Sequence, residues 1–175
     1  MSNGFEEARR QRNWLERLGE RIPGFRGFQD RELRREVDKL QREYLAEQIT
    51  LLKRRARQRA QSYTDAGRIG DLDRFERLDR RLEGLSQTIR FSDYGATGLF
   101  DVEKIGDREL ESIYRLDLSL VGDLDAIGAS IDALPRPGAE DPVEAVDTIL
   151  DRVEDLERKW SGRETIFNDI VETAG

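Results

Sequence analysis

The sequence predicts an all-α protein: an antiparallel bundle of four main helices, with an N-terminal helical arm and a short C-terminal helix. The strongest observation is the stretch 107–134. Steps of three and four from Leu110 select Ile113, Asp117, Leu120, Leu124, Ile127, Ile131 and Leu134, apolar at every position but Asp117. A second observation is that comparable stripes recur on both sides of it. The third is punctuation, since Pro and Gly cluster between the stripes and no strand-like alternation interrupts them. Residues 1–28 read as an arm and Pro/Gly turn, and residues 29–175 as a single bundle domain.

The arm, residues 4–21, sets Phe5, Ala8, Trp14, Leu15 and Leu18 among Arg9, Arg10, Arg12, Arg17 and Arg21. Such a pattern describes either a helix lying on an anionic membrane or a helix that packs on the bundle. Glu6, Glu7, Glu16 and Glu20 dilute the positive face and favour packing. Ile22-Pro23-Gly24-Phe25-Arg26-Gly27-Phe28 then stops the helix, with the two phenylalanines expected to pin the turn to the core. Asp30 is the expected cap of the next helix, over 30–63. Its stripe begins at Leu33, Val37, Leu40 and Tyr44, then shifts by one residue to Leu45, Ile49, Leu52, Ala56, Ala60 and Tyr63. Such a rotating stripe suits a helix with several neighbours; at about 1.5 Å per residue it is roughly 50 Å long.

After the Gly67–Gly70 break, a third helix over 71–90 carries Leu72, Phe75, Leu78, Leu82, Leu85 and Ile89, spaced like a coiled-coil seam. In the helix over 107–134, Ser119, Gly122, Ala126, Ala129 and Ala133 form a second, small-residue stripe, so partners are expected on two sides. Pro135-Arg136-Pro137-Gly138 is a hard stop. Asp141-Pro142-Val143-Glu144 reads as the start of a helix over 141–160, with Val143, Val146, Ile149, Leu150, Val153, Leu156 and Trp160 inward. Ser161-Gly162 separates this from an expected short closing helix carrying Ile166, Phe167, Ile170 and Val171.

Composition excludes much chemistry. The chain has 175 residues, about a quarter of them Leu, Ile, Val or Phe, enough for a core. It has no cysteine and no histidine. Thiol nucleophiles, disulfides, zinc thiolates and iron–sulfur clusters are thereby removed, as are the commonest general base and metal ligand. No spaced Asp/Asn/Gly loop suggests a magnesium or calcium site. Gly95-Ala96-Thr97-Gly98 follows a helix, not a strand, and lacks a P-loop ending. No catalytic, metal or cofactor-binding residue is nominated, no cofactor is expected, and the protein is read as non-enzymatic. No apolar run reaches the roughly 20 residues of a membrane span, and charges at Glu6, Glu7, Arg9 and Arg10 interrupt any leader. The expected location is cytoplasmic, or peripheral to the inner face of the membrane.

The net charge is −7, unevenly spread. Residues 1–90 carry 22 Lys and Arg against 16 Asp and Glu, whereas residues 91–175 carry 8 against 21. The lysines are only Lys39, Lys53, Lys104 and Lys159. A lysine-poor acidic chain suits a salt-rich cytoplasm, and a GC-rich genome would favour arginine equally.

Two stretches are candidates for binding. Lys53, Arg54, Arg55, Arg57 and Arg59 crowd five cations into seven residues. They suit an internal or intersubunit match to the acidic half or, together with Trp14, an anionic lipid surface. Nucleic acid is disfavoured, because the chain is acidic and no recognition motif accompanies the patch. The segment 91–106 is long for a helix connection. Its Phe91, Tyr94, Leu99 and Phe100 either plug one end of the bundle or present an aromatic surface to a protein partner.

The Pro23–Phe28 turn, the charged run Asp30-Arg-Glu-Leu-Arg-Arg-Glu-Val-Asp38, and Ile89-Arg90-Phe91 with Tyr94-Gly95 and Gly98-Leu-Phe-Asp101 resemble a group of small uncharacterised all-helical prokaryotic proteins. The resemblance covers about a third of the chain. It implies a helical fold with no assigned activity and carries no functional residue across. The expected function is helical interaction or scaffolding, by self-association or by binding another helical protein. The alternative is a peripheral membrane adaptor using the arm and the basic stretch.

Overall fold

The computed structural model describes residues 3–28, 30, 32–92 and 105–174, and these are all-helical with no strand. The helices are α1 (Asn3–Arg21), α2 (Arg34–Asp65), α3 (Leu72–Phe91), α4 (Asp107–Asp132) and α5 (Val143–Ala174), with a 3-10 turn at Ile69–Asp71.

Helix starts follow local hydrogen bonding. Asp141 accepts the Val143 backbone N–H at 3.0 Å, and Val146 N–H returns to the Pro142 carbonyl, so α5 opens where the Asp-Pro signal lies. Asp30 behaves differently. Its carboxylate accepts the Glu32 N–H at 3.0 Å and its carbonyl the Leu33 N–H, making a turn instead of a cap, so α2 begins only at Arg34.

The expected break at Ser161-Gly162 does not occur, and α5 runs unbroken to Ala174. Its inward series continues from Trp160 in steps of three and four through Arg163, Phe167 and Ile170, all buried. A glycine in a helix costs about 1 kcal/mol relative to alanine, whereas burying one large apolar side chain returns about 1.5–3 kcal/mol. Tertiary burial therefore overrides the local stop, and the separate C-terminal helix is corrected to the last turns of α5.

Ion pairs and ring contacts set the direction of each helix pair. Along α2 and α3, Arg42 meets the Arg90 carbonyl, Lys53 meets Glu83, Arg57 meets Asp79 and the Tyr63 ring meets Phe75, so numbers rise on one helix as they fall on the other. Helices α4 and α5 also run in opposite senses, through Lys159 with Asp123 and Arg163 with Asp117. Helices α3 and α5 run in the same sense, since Arg74 meets Asp147 and Arg81 meets Glu154, seven residues further on both. Helices α2 and α4 do likewise: a Cβ on Gly128 would lie 3.1 Å from Leu52, and Arg55 meets Asp132.

Helix α1 packs on α4 through Trp14, Leu15 and Leu18, and leaves Arg9, Arg10, Arg12 and Arg17 outside. The chain then doubles back through Ile22, Phe25 and Phe28, all buried, with Gly24 and Gly27 at φ +82° and +83°. Among the described residues no helix is long and apolar enough to cross a membrane.

Candidate functional site

The core stripes of three helices converge on a layer of charged and polar side chains. On α2, Asp38 and Gln41 precede Leu45 at the inward spacing of three and four; on α4, Asp117 sits between Ile113 and Leu120; on α5, Arg163 follows Trp160. Each occupies a position the helix geometry reserves for the interior, and all four are buried.

Arg163 organises the layer. One terminal nitrogen donates to Asp38 and to the Gln41 carbonyl oxygen, both at 3.0 Å, while Nε donates to Asp117 at 3.3 Å. Asp38 also accepts from Arg42 at 2.8 Å. The guanidinium lies over the Phe167 ring at 4.4 Å and the Trp160 ring at 5.0 Å. Those faces add cation–π attraction where water is excluded. Trp160 in turn donates its indole N–H to Ser92, at the end of α3.

Among the described residues, two atoms of the layer lack a hydrogen-bond partner: Asp117 Oδ2 and Gln41 Nε2. Burial pushes the Asp117 carboxyl above the usual aspartate range, and although the charge of Arg163 pulls it back, burial wins. Burial also pulls the Arg163 guanidinium down, yet Asp117 and Asp38 carry it above its ordinary value. The cluster thus binds three helices through charges that depend on one another. Buried ion pairs contribute little net stability against an apolar core, but losing one partner is costly. Their best-attested use is to specify register or to switch between arrangements.

Beside this layer lies an aromatic seat. Phe28 stacks on Tyr114 at 6.2 Å and meets Phe167 edge-on at 6.3 Å, and Phe25 meets both Phe28 and Tyr114. The Tyr114 hydroxyl accepts the Phe28 backbone N–H at 2.9 Å, and Arg34 donates to the Phe28 carbonyl at 2.7 Å. Burial pushes the Tyr114 phenol up to about 12, so it stays neutral at physiological pH.

The residues singled out from sequence are dispersed. Lys53 pairs with Glu83, Arg55 with Asp132 at 3.5 Å, and Arg57 with both oxygens of Asp79; Arg59 donates to the Leu134 and Pro135 carbonyls. Lys53 holds the Glu83 carboxyl below the usual range, and Asp79 holds the Arg57 guanidinium above its own. Arg54 is exposed and forms no ion pair among the described residues. Most of the basic stretch is therefore matched to carboxylates and carbonyls within the chain.

Trp14 is half-buried at the α1–α4 contact, with Arg17 and Arg115 over its ring at 5.2 and 5.9 Å. Phe91 ends α3 with 73% of its surface exposed and does not plug the bundle. Tyr94, Leu99 and Phe100 lie outside the described residues. The small-residue stripe of α4 is divided: Ser119 accepts from Lys159, while Gly122, Ala129 and Ala133 are exposed.

Sequence reasoning did not nominate Asp38, Gln41, Asp117 or Arg163. The usable signal was Asp117, the one charge in an otherwise apolar series. Among the described residues no cluster of Asp and Glu is arranged to hold a metal ion. No family model, curated protein or solved structure matches this chain.

Proposed function

We propose that the protein is a non-enzymatic helical interaction protein in which α2–α5 form a four-helix bundle that presents a docking surface at the exit of α3. The reading rests on Phe91. An aromatic side chain left 73% exposed has no core-building role, and aromatic anchors are enriched in protein contacts. The partner is a helical protein, with a second copy of this chain the first to test. Sedimentation velocity over a wide concentration range is expected to show reversible association of the wild type. Phe91→Ser should abolish it while moving the melting temperature by no more than a few degrees, as expected for an exposed site. A variant that associates like the wild type would sink this surface.

The second reading, a peripheral adaptor on anionic membrane, is less well supported. Trp14, Leu15 and Leu18, the side chains α1 would insert into lipid, are the ones it packs against α4. The cations Lys53, Arg55 and Arg57 already face carboxylates. Full-length protein is therefore expected not to co-sediment with anionic vesicles at about 0.1 M salt, where charge attraction still reaches about 10 Å. Salt-sensitive binding that disappears on deleting residues 1–28 would promote the adaptor reading instead.

A further inference from the structure

We propose that the turns of α5 from Arg163 onward form a proton-tightened latch, closed on α2 and α4 through the Arg163–Asp38–Asp117 cluster and hinged at Ser161-Gly162. The hinge is local. Ser161 is exposed, and a Cβ added to Gly162 would meet nothing within 4 Å, so these two positions add no side-chain contact between the buried Trp160 and Arg163. Everything that holds the last turns lies beyond it: Arg163 in the charged layer, Phe167 against Phe28, and Ile170 at the rim of the core. The cation of the layer is on the moving segment, and both carboxylates are on helices that stay. Opening therefore separates the charges and admits water to Asp117.

The proton dependence follows from the two states of Asp117. In the open state it is hydrated and titrates near the ordinary aspartate value of about 3.9. In the closed state burial holds it higher. The closed form thus binds the proton more tightly, so closure strengthens as pH falls through the closed-state value, and the gain is complete at the ordinary one. The geometry supplies the reason. Asp117 Oδ2 has no donor among the described residues, so a proton there removes charge from the oxygen least able to bear it. Arg163 keeps its bonds to Asp38 and the Gln41 carbonyl.

The other groups facing Asp117 do not reverse the sign. Asp38 on α2 is held by Arg42 as well as Arg163, and its negative charge raises Asp117 further. Tyr114 is neutral throughout, and Arg34 is directed to the Phe28 carbonyl. Ser92, from the end of α3, is uncharged. On the segment itself, Asp169 and Glu172 are exposed.

Backbone hydrogen exchange of the full chain from pH 7.5 down to the ordinary aspartate value of about 3.9, corrected for intrinsic rates, tests the latch. Protection of residues 163–174 is expected to rise several-fold as pH falls, by no more than about tenfold per pH unit, the limit for one proton. Asp117→Asn should lose the slope. Gly162→Ala should raise protection at every pH and keep the slope, testing the hinge independently if the asparagine variant does not fold. Flat or falling wild-type protection, an undiminished slope in Asp117→Asn, or an equal rise throughout α2 and α3 would each overturn the proposal.

Discussion

Arg163→Met is expected to lower the free energy of unfolding by about 3–5 kcal/mol, the cost of leaving buried charges without their partner. Methionine keeps most of the aliphatic volume against Trp160 and Phe167, so the loss reports charge more than a cavity. Asp38 would retain Arg42, but Asp117 would keep no cation among the groups that now bond it. Adding Asp117→Asn to Arg163→Met should therefore recover part of the loss, with a coupling energy of about 0.5–3 kcal/mol in a double-mutant cycle. Urea unfolding of the four proteins measures all the terms. A loss of less than about 1 kcal/mol in the single variant, in the range of an exposed ion pair, would mean that the layer is hydrated and its charges are not interdependent.

Gly27→Ala is the second large effect, with an expected loss of about 2–5 kcal/mol from left-handed backbone strain and overpacking together. Gly27 adopts φ +83°, and a Cβ there would lie 2.5 Å from Leu15 Cδ2 and 2.6 Å from the Tyr114 hydroxyl. The leucine methyl can move cheaply. The tyrosine cannot, because its hydroxyl holds the Phe28 N–H and its ring stacks on Phe28. Gly67 supplies the control: it has φ +76° but nothing within 4 Å, so Gly67→Ala should cost only the backbone term, about 1–2 kcal/mol. Equal melting temperatures for the two variants would show that the α1 turn is not tightly seated.

Much of the helical content was legible because its signals are local. The 3-4 spacing of Leu110 to Leu134 requires only that neighbouring turns share a face, and Pro135-Arg136-Pro137-Gly138 breaks a helix in almost any surroundings. The same locality misled at two points. Asp30 has the chemistry of a cap, but its carboxylate is taken by a turn, and Ser161-Gly162 looks like a stop until Phe167 and Ile170 are seen to be buried. Both depend on what the segment packs against.

The charged layer shows the same limit more sharply. Asp117 stood out in its stripe, yet its partner Arg163 lies 46 residues away, and Asp38 is 125 residues from that same arginine. Spacing along one helix can say that a charge points inward, not which charge on another helix will meet it. Lys53 to Arg59 presents the converse case. Its density of positive charge suited either a match to the acidic half or an anionic surface, and the partners in place are Glu83 and Asp79, outside that acidic half, and Asp132 within it.

The sequence by itself thus determined the all-helical class and the main apolar stripe of each long helix, but not where α2 begins or α5 ends, because hydrophobic periodicity is a property of consecutive turns. Only the tertiary structure decided which helices neighbour one another, where the basic stretch finds its counter-charges, and that Arg163 ties α5 to α2 and α4. Those outcomes depend on distances between residues far apart in the chain, and on the loss of water that makes their charges interdependent.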